Sequence, residues 1–269
     1  MARKKKLPVI ISAPHACSTM LPRFAKRMKL SEEQIWRCSD PFTKDTCRYP
    51  RAHSIYVGKN HRLIGDLNRP PTPDTAFQIE DFYGNRVWKK GKELSPLEKA
   101  ELLGKYWFPH YEGIVKDIHA LFDAGHKKVL FIDHHNTAVD HPLGKSKSYL
   151  PSLEISNLGS RNRGAKLRGG HATSMPAAAM KIFQKALFEE THLGTEVNSI
   201  FRGGYGIRWV TEHGLEEHSK CKVYAVQLEY NLNLIHNPLS GRNDLMALEK
   251  LRDGINKAID QLADYLKLS

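Results

Sequence analysis

Three apolar runs in this chain of 269 residues each end on a side chain suited to metal-assisted hydrolysis. Residues 8–14 run into His15, residues 129–132 into Asp133-His134-His135, and residues 223–228 into Glu229. A buried strand that stops at a polar residue delivers that side chain to the carboxyl edge of a sheet, where open α/β folds keep their ligand crevices. Two imidazoles and a carboxylate delivered this way are the makings of a metal-bound hydrolytic site. Adjacent residues of an extended chain point to opposite sides, so only one of His134 and His135 is expected to face it. His135 shares the side of Asp133, whose carboxylate suits an outer partner that fixes the ring tautomer, so His135 is the expected one.

Catalytic zinc usually takes three protein ligands and keeps a position for water. Asp40, in Ser39-Asp40-Pro41-Phe42, is the candidate third ligand and Asp45 its competitor, although an aspartate before proline also fits a plain turn. Glu229, closing an apolar strand, is the candidate base, because burial raises a carboxyl pKa toward neutrality. Asn68-Arg69 offers a fixed cation, and arginine grips a carboxylate through two parallel hydrogen bonds. Arg208 follows Gly203-Gly204-Tyr205-Gly206, a turn whose glycines let backbone approach a substrate closely. Cys17 is expected to line the site as a small side chain rather than act as a nucleophile. His213 and His218 bracket Glu216 and Glu217, but their spacing misses the four-residue interval that puts two histidines on one helix face. No H-E-x-x-H, G-x-S-x-G or P-loop motif occurs.

The elements that must position these groups alternate. Strands are expected at 53–57, 62–67, 129–132, 153–158, 197–201, 207–210 and 222–230. Ser31-Glu32-Glu33-Gln34 and Ser95-Pro96-Leu97-Glu98 are capping boxes opening helices. The second helix is expected to reach residue 124, to be kinked or split in two by Pro109, and to stop at Gly125. Residues 174–189 form a further helix. The last, over 244–266, carries Leu245, Leu248, Leu251, Ile255, Ile259, Leu262 and Leu266 at helical spacing. The pattern predicts a three-layer α/β/α fold around a mixed central sheet. One domain is expected over residues 1–269, with a basic N-terminal segment at 1–7.

Composition narrows the function classes. No apolar stretch approaches the ~20 residues that cross a bilayer, so no membrane partner is expected. The basic start leads into only a strand-length apolar run, too short for a secretory signal, so a cytoplasmic protein is expected. Four cysteines without a C-x-x-C pair argue for reduced thiols rather than a disulfide framework. The net charge of +12 raises nucleic-acid binding, yet Lys and Arg are spread along the chain without a nucleic-acid signature. A basic surface that draws in small anions fits better. The densest basic cluster, Arg161, Arg163, Lys166 and Arg168, reads as solvated surface.

With these residues in hand, the chain resembles the N-formylglutamate amidohydrolase family, whose fold is related to zinc carboxypeptidases and aspartoacylases. The matching segments are Pro8-Val9-Ile10-Ile11-Ser12-Ala13-Pro14-His15-Ala16, Ser39-Asp40-Pro41-Phe42-Thr43-Lys44-Asp45, Asp66-Leu67-Asn68-Arg69-Pro70, Ile132-Asp133-His134-His135, Arg202-Gly203-Gly204-Tyr205 and Gln227-Leu228-Glu229. Their order is right, and together they span roughly residues 8–235. The chain departs from the family at Cys17, where glycine is usual, and at Asn136, where a hydroxyl-bearing residue is usual.

The resemblance implies a zinc-exopeptidase-like fold and one Zn2+ per chain held by His15, Asp40 and His135. It implies Glu229 as the residue that activates water and Asn68 with Arg69 as a carboxylate clamp. Gly204 and Tyr205 would line the substrate, and Arg208 would help with substrate or oxyanion charge. The implied reaction is hydrolysis of the amide bond of an N-acyl amino acid such as N-formylglutamate. A carboxypeptidase-like activity on short peptides and a non-catalytic, nucleic-acid-binding protein are the alternatives. No oligomeric state is implied.

Overall fold

A computed structural model describes residues 5–137, 150–160, 173–216 and 218–268. Six strands form the central sheet: β1 (Leu7–Ala13), β2 (Ala52–Val57), β3 (Lys128–Thr137), β4 (Leu153–Ser156), β5 (Thr195–Val197) and β6 (Lys222–Asn231). Their order is β2-β1-β3-β6-β4-β5. β2, β1, β3 and β6 run parallel, β4 turns antiparallel against β6, and β5 follows β4 in parallel. The sheet is therefore mixed, as the alternating pattern predicts.

The helices are α1 (Pro22–Ala25), α2 (Glu32–Arg37), α3 (Thr43–Thr46), α4 (Pro96–Leu102), α5 (Phe108–Asp123), α6 (Ala177–Thr191), α7 (Tyr205–His213) and α8 (Leu245–Leu266). A small hairpin, β7 (His236–Asn237) and β8 (Arg242–Asn243), stands apart from the sheet.

The two-residue period of a strand sorts side chains onto two faces and so makes three layers. Val9, Ile11, Leu130, Ile132, Val226 and Leu228 join the core built with α6 and α8. Ile10, Val129, Phe131, Val223 and Ala225 join the core built with α5 and α7. Extending that parity puts Asp133, His135, Gln227 and Glu229 on the α5/α7 face and His134 on the other. His134 indeed meets Thr46 of α3, with Nε2 2.8 Å from the hydroxyl.

Both capping boxes form, with Ser31 paired to Gln34 and Ser95 to Glu98. Pro109 does not break its helix. The turn Leu103–Trp107 widens to a π-helix, in which the N–H of Phe108 bonds back to Leu103, and the chain continues into α5. Gly125 ends the helix at φ 95°. On α8 the expected apolar stripe is buried except for Leu245, which lies exposed at the helix start.

Several expected strands differ. Residues 62–67 form a 3-10 turn, Arg62–Ile64, closed by Gly65. Residues 207–210 belong to α7, where Ile207 and Val210, three apart, turn the same face into the core. β5 ends at Val197 because Asn198 takes a left-handed turn, so residues 198–201 are loop. β4 ends at Ser156, before the expected 158, and α6 starts at Ala177 behind Pro176. The basic cluster Arg161, Arg163, Lys166 and Arg168 lies outside the described residues.

Candidate active site

His15 sits in the turn after β1, and its backbone carbonyl accepts the N–H of Asp40 at 3.0 Å. Phe42 then adopts φ 68°, a left-handed conformation that swings the chain away into α3. That turn carries Asp45 outward, where it pairs with Arg48 at 2.8 Å, and leaves Asp40 buried against the histidines. Of the two competing aspartates, only Asp40 is at the cluster.

Around Asp40 the arrangement is centripetal. One carboxylate oxygen of Asp40 lies 2.9 Å from Nδ1 of His135 and 3.4 Å from Nδ1 of His15. The two rings stand edge to face with centroids 4.8 Å apart. Each ring turns its other nitrogen outward to an acid. Nε2 of His15 donates to Asp66 at 2.7 Å, and Nε2 of His135 lies 3.1 Å from a carboxylate oxygen of Asp133. The Asp66 carboxylate also receives the Arg62 guanidinium at 2.8 Å and the backbone N–H of Asn68 at 2.9 Å. The Asp66 bond fixes which nitrogen of His15 faces inward, and the Asp133 carboxylate stands behind the ring of His135.

His15, Asp40, Asp66, Asp133 and His135 are buried, and Nδ1 of His15 has no hydrogen-bond partner among the described residues. Leaving a buried polar atom without a partner costs about 1–3 kcal/mol. Here it would be relieved by a cation at the point where both Nδ1 atoms and Asp40 converge. The ligand-bearing atoms of His15, Asp40 and His135 lie within 4.8 Å of one another. Two imidazole nitrogens and a carboxylate suit a divalent transition metal.

Electrostatics follow from the same geometry. Burial would raise the Asp40 pKa, but the flanking His15 and His135 outweigh it and hold the carboxyl far below its ordinary range. Burial is likewise overcome at Asp66, chiefly by Arg62 and then by His15.

Glu229 stands beside His135 in the β3–β6 register. Thr137 donates to one of its oxygens at 2.9 Å and Gln227 to the other at 2.7 Å, which fixes the carboxylate plane. Its pKa is raised, mainly by burial and further by Asp40, against the lowering effect of His135. Glu154 faces it across the antiparallel β4–β6 pair and is pushed up to about 7, first by burial. One Glu154 oxygen accepts the N–H groups of Ile200 and Phe201 at 2.8 and 2.9 Å. Those bonds tie down the loop leading to Arg202.

His15, Asp40, His135 and Glu229 open onto a cleft of about 580 Å³, into which Asn68, Arg69, Gly204, Tyr205 and Arg208 also reach. The side chains of Arg69, Arg202 and Arg208 are exposed and make no ion pair with a described residue. Asn68 differs from the expected clamp, because its Oδ1 accepts the N–H of Gly206 at 3.0 Å. Its NH2 group is what remains for a ligand. A Cβ on Gly204 would fall 2.1 Å from that amide oxygen, and one on Gly206 would fall 2.9 Å from Asp133. The glycines are thus what lets this turn close over Asn68 and Asp133. Asn136 holds the Asp40 loop by donating to the carbonyl of Pro41 and, at 3.1 Å, to the Tyr230 hydroxyl. Sequence reasoning did not single out Arg37, Arg62, Thr137 or Glu154, and it quoted Asp66 and Arg202 only within motifs.

The chain and its fold have known relatives. A family model describing N-formylglutamate amidohydrolase matches residues 7–236. The chain belongs to the N-formylglutamate amidohydrolase family. That membership supports an amidohydrolase. The chain is similar in fold to the crystal structure of N-formylglutamate amidohydrolase from Ralstonia eutropha JMP134. The two share 12% identity and a TM-score of 0.75, with 98% of this chain and 95% of that one covered. A gene product of Agrobacterium tumefaciens is similar at 16% identity and a TM-score of 0.66, covering 95% of this chain and 92% of its own. No curated protein matches the chain. Among the described residues, no helix is long and apolar enough to cross a membrane.

Proposed function

We propose that this family member is a zinc-dependent hydrolase of the amide bond of N-acyl amino acids, N-formylglutamate among them. The observation that carries the reading is the inward turn of both Nδ1 atoms onto a shared Asp40 oxygen, with Asp66 and Asp133 behind the rings. His15, Asp40 and His135 would hold the metal. Three protein ligands from two histidines and a carboxylate match the open donor set of catalytic zinc sites. When bound, such a cation lowers the pKa of water and polarises a carbonyl.

The chain's own residues supply the remaining functions. Glu229 takes the proton from the attacking water and returns it to the leaving amine, a task suited to a carboxyl whose pKa burial has raised. Thr137 and Gln227 keep its oxygens aimed during both transfers. Arg69, which lines the cleft without an ion-pair partner among the described residues, grips the substrate carboxylate and fixes the amide relative to Glu229. Arg208 offsets negative charge on the substrate or on the developing oxyanion. The four cysteines are all unpaired, which supports a reducing, cytoplasmic setting.

The test combines metal analysis with a substrate panel. Purified protein is expected to carry about one zinc per chain, and to release formate from N-formylglutamate until a chelator removes the metal. Cleavage of short peptides with no turnover of N-acyl amino acids would transfer the assignment to a peptidase. A metal-free protein that binds DNA or RNA in a salt-sensitive way would remove the enzyme reading altogether.

A further inference from the structure

Beside the arginine-lined cleft lies a second, larger hollow of about 890 Å³. Its walls come from three of the four segments that deliver the candidate catalytic groups, β3 with His135 being the exception. Ser18, Thr19 and Met20 continue the loop that carries His15. Ile35 and Trp36 belong to the helix just before Asp40, and Leu232 follows the end of the strand bearing Glu229. Trp36 packs against His236 of the β7–β8 hairpin, with ring centroids 5.0 Å apart. Arg37 lines both the hollow and the cleft, so the two adjoin at that residue.

Amide hydrolysis needs room for two substituents. The cleft with Arg69, Arg202 and Arg208 suits the anionic, amino-acid side. A formyl group on the other side takes up on the order of one water molecule, about 30 Å³, and leaves the hollow without a use. Met20, Ile35, Trp36, Leu232 and Pro238 offer that hollow an apolar wall, while Glu32 and Glu33 also line it. Apolar walls of this kind reward chain length rather than charge.

We propose that this hollow is an acyl subsite, and that the chain acts on N-acyl amino acids whose acyl group is a medium-length alkyl or aryl-alkyl chain. The inference rests on the amidohydrolase reading and specifies its substrate. No atom of the reaction changes: water adds to the amide carbonyl, the C–N bond breaks, and a longer carboxylic acid leaves beside the free amino acid.

The test uses the full chain with a series of N-acylglutamates from formyl through acetyl, butyryl and hexanoyl to octanoyl. kcat/KM of the zinc-loaded protein is expected to climb roughly threefold per methylene until the hollow is filled. In parallel, calorimetry on the metal-free protein is expected to give a lower Kd for N-octanoylglutamate than for N-formylglutamate. Thr19→Trp introduces bulk from an exposed wall position, and Trp36→Ala removes the apolar wall; each is expected to cut the octanoyl-to-formyl ratio at least tenfold in both readouts. Cleavage of the formyl substrate with no gain along the series and equal Kd values would overturn the subsite while leaving the amidohydrolase standing. Unchanged ratios in both variants would also overturn it. Tighter octanoyl binding without hydrolysis of any member would support the subsite and reject the amidohydrolase.

Discussion

Two groups of histidines on this chain meet different fates. His15 and His135 stand at strand ends, buried, with both Nδ1 atoms turned to one Asp40 oxygen and a second acid behind each ring. His119, His213 and His218 gather on the outer side of α5 and α7. There His119 and His218 stack with centroids 5.1 Å apart, while His218 pairs with Asp123 and His213 with Glu216, each on its own. Residue types are alike in the two places, but only the first group shares an acceptor. Among the described residues it is the one set whose three ligand-bearing atoms lie within 4.8 Å. The contrast teaches that convergence on a common point, backed by buried acids, separates a candidate metal site from a histidine-rich surface.

Substitutions can break that contrast from either side. The largest effect is expected for His135→Ala, which should abolish zinc retention and lower kcat/KM by about three orders of magnitude or more. His218→Ala should keep the metal, and rates within about twofold of the parent would fit a substitution outside any catalytic group. Equal zinc loss in both proteins would erase the distinction. Next comes Glu229→Gln, expected to bind zinc normally and lose roughly 10²–10⁴ in kcat, the usual worth of general base catalysis. Normal turnover would take Glu229 out of the mechanism.

Asp66→Asn probes the outer shell. Loss of a partner behind a metal-binding ring typically costs about 10–100-fold in metal affinity, which competition with a chromophoric chelator measures. An unchanged affinity would mean that the shell is idle. Arg69→Ala should raise KM about tenfold or more while kcat holds, the pattern of lost ground-state binding; an unaltered KM would argue against the clamp.

The smallest effect concerns pH. Glu229 must be ionised to accept a proton, and burial raises its pKa, so kcat/KM is expected to fall as pH drops through that raised value. Glu154, itself pushed up to about 7, adds negative charge opposite Glu229 when it ionises. Glu154→Gln keeps an oxygen for the Ile200 and Phe201 N–H groups but removes that charge. The acidic limb of the profile should then move to lower pH, and a limb that stays in place would confine Glu154 to holding the loop.

His15, His135 and Glu229 of the candidate site were legible in sequence because each follows an apolar run, although β3 and β6 continue past theirs. The period of an extended chain was enough to favour His135 over His134, and the structure turns those two rings to opposite faces of the sheet. The choice between Asp40 and Asp45 was not legible, since it depends on the left-handed turn at Phe42 that only tertiary packing sustains. Asp66 was hidden for a related reason. It lies past a 3-10 turn rather than a strand, and nothing local reveals that His15 and Arg62 will close on it. The run Ile207-Arg208-Trp209-Val210 reads equally as a short strand or a helical turn, and the Gly203 turn, by starting a helix at Tyr205, decides for the latter. The acyl hollow is assembled from three distant segments, so no stretch of sequence announces it.

The most direct measurement is a crystal structure of the zinc-loaded protein with anomalous data at the zinc edge. One peak per chain is expected, contacted by Nδ1 of His15, Nδ1 of His135 and a carboxylate oxygen of Asp40. A peak at His119 and His218, or an empty map between His15 and His135 in protein that still hydrolyses amides, would contradict it.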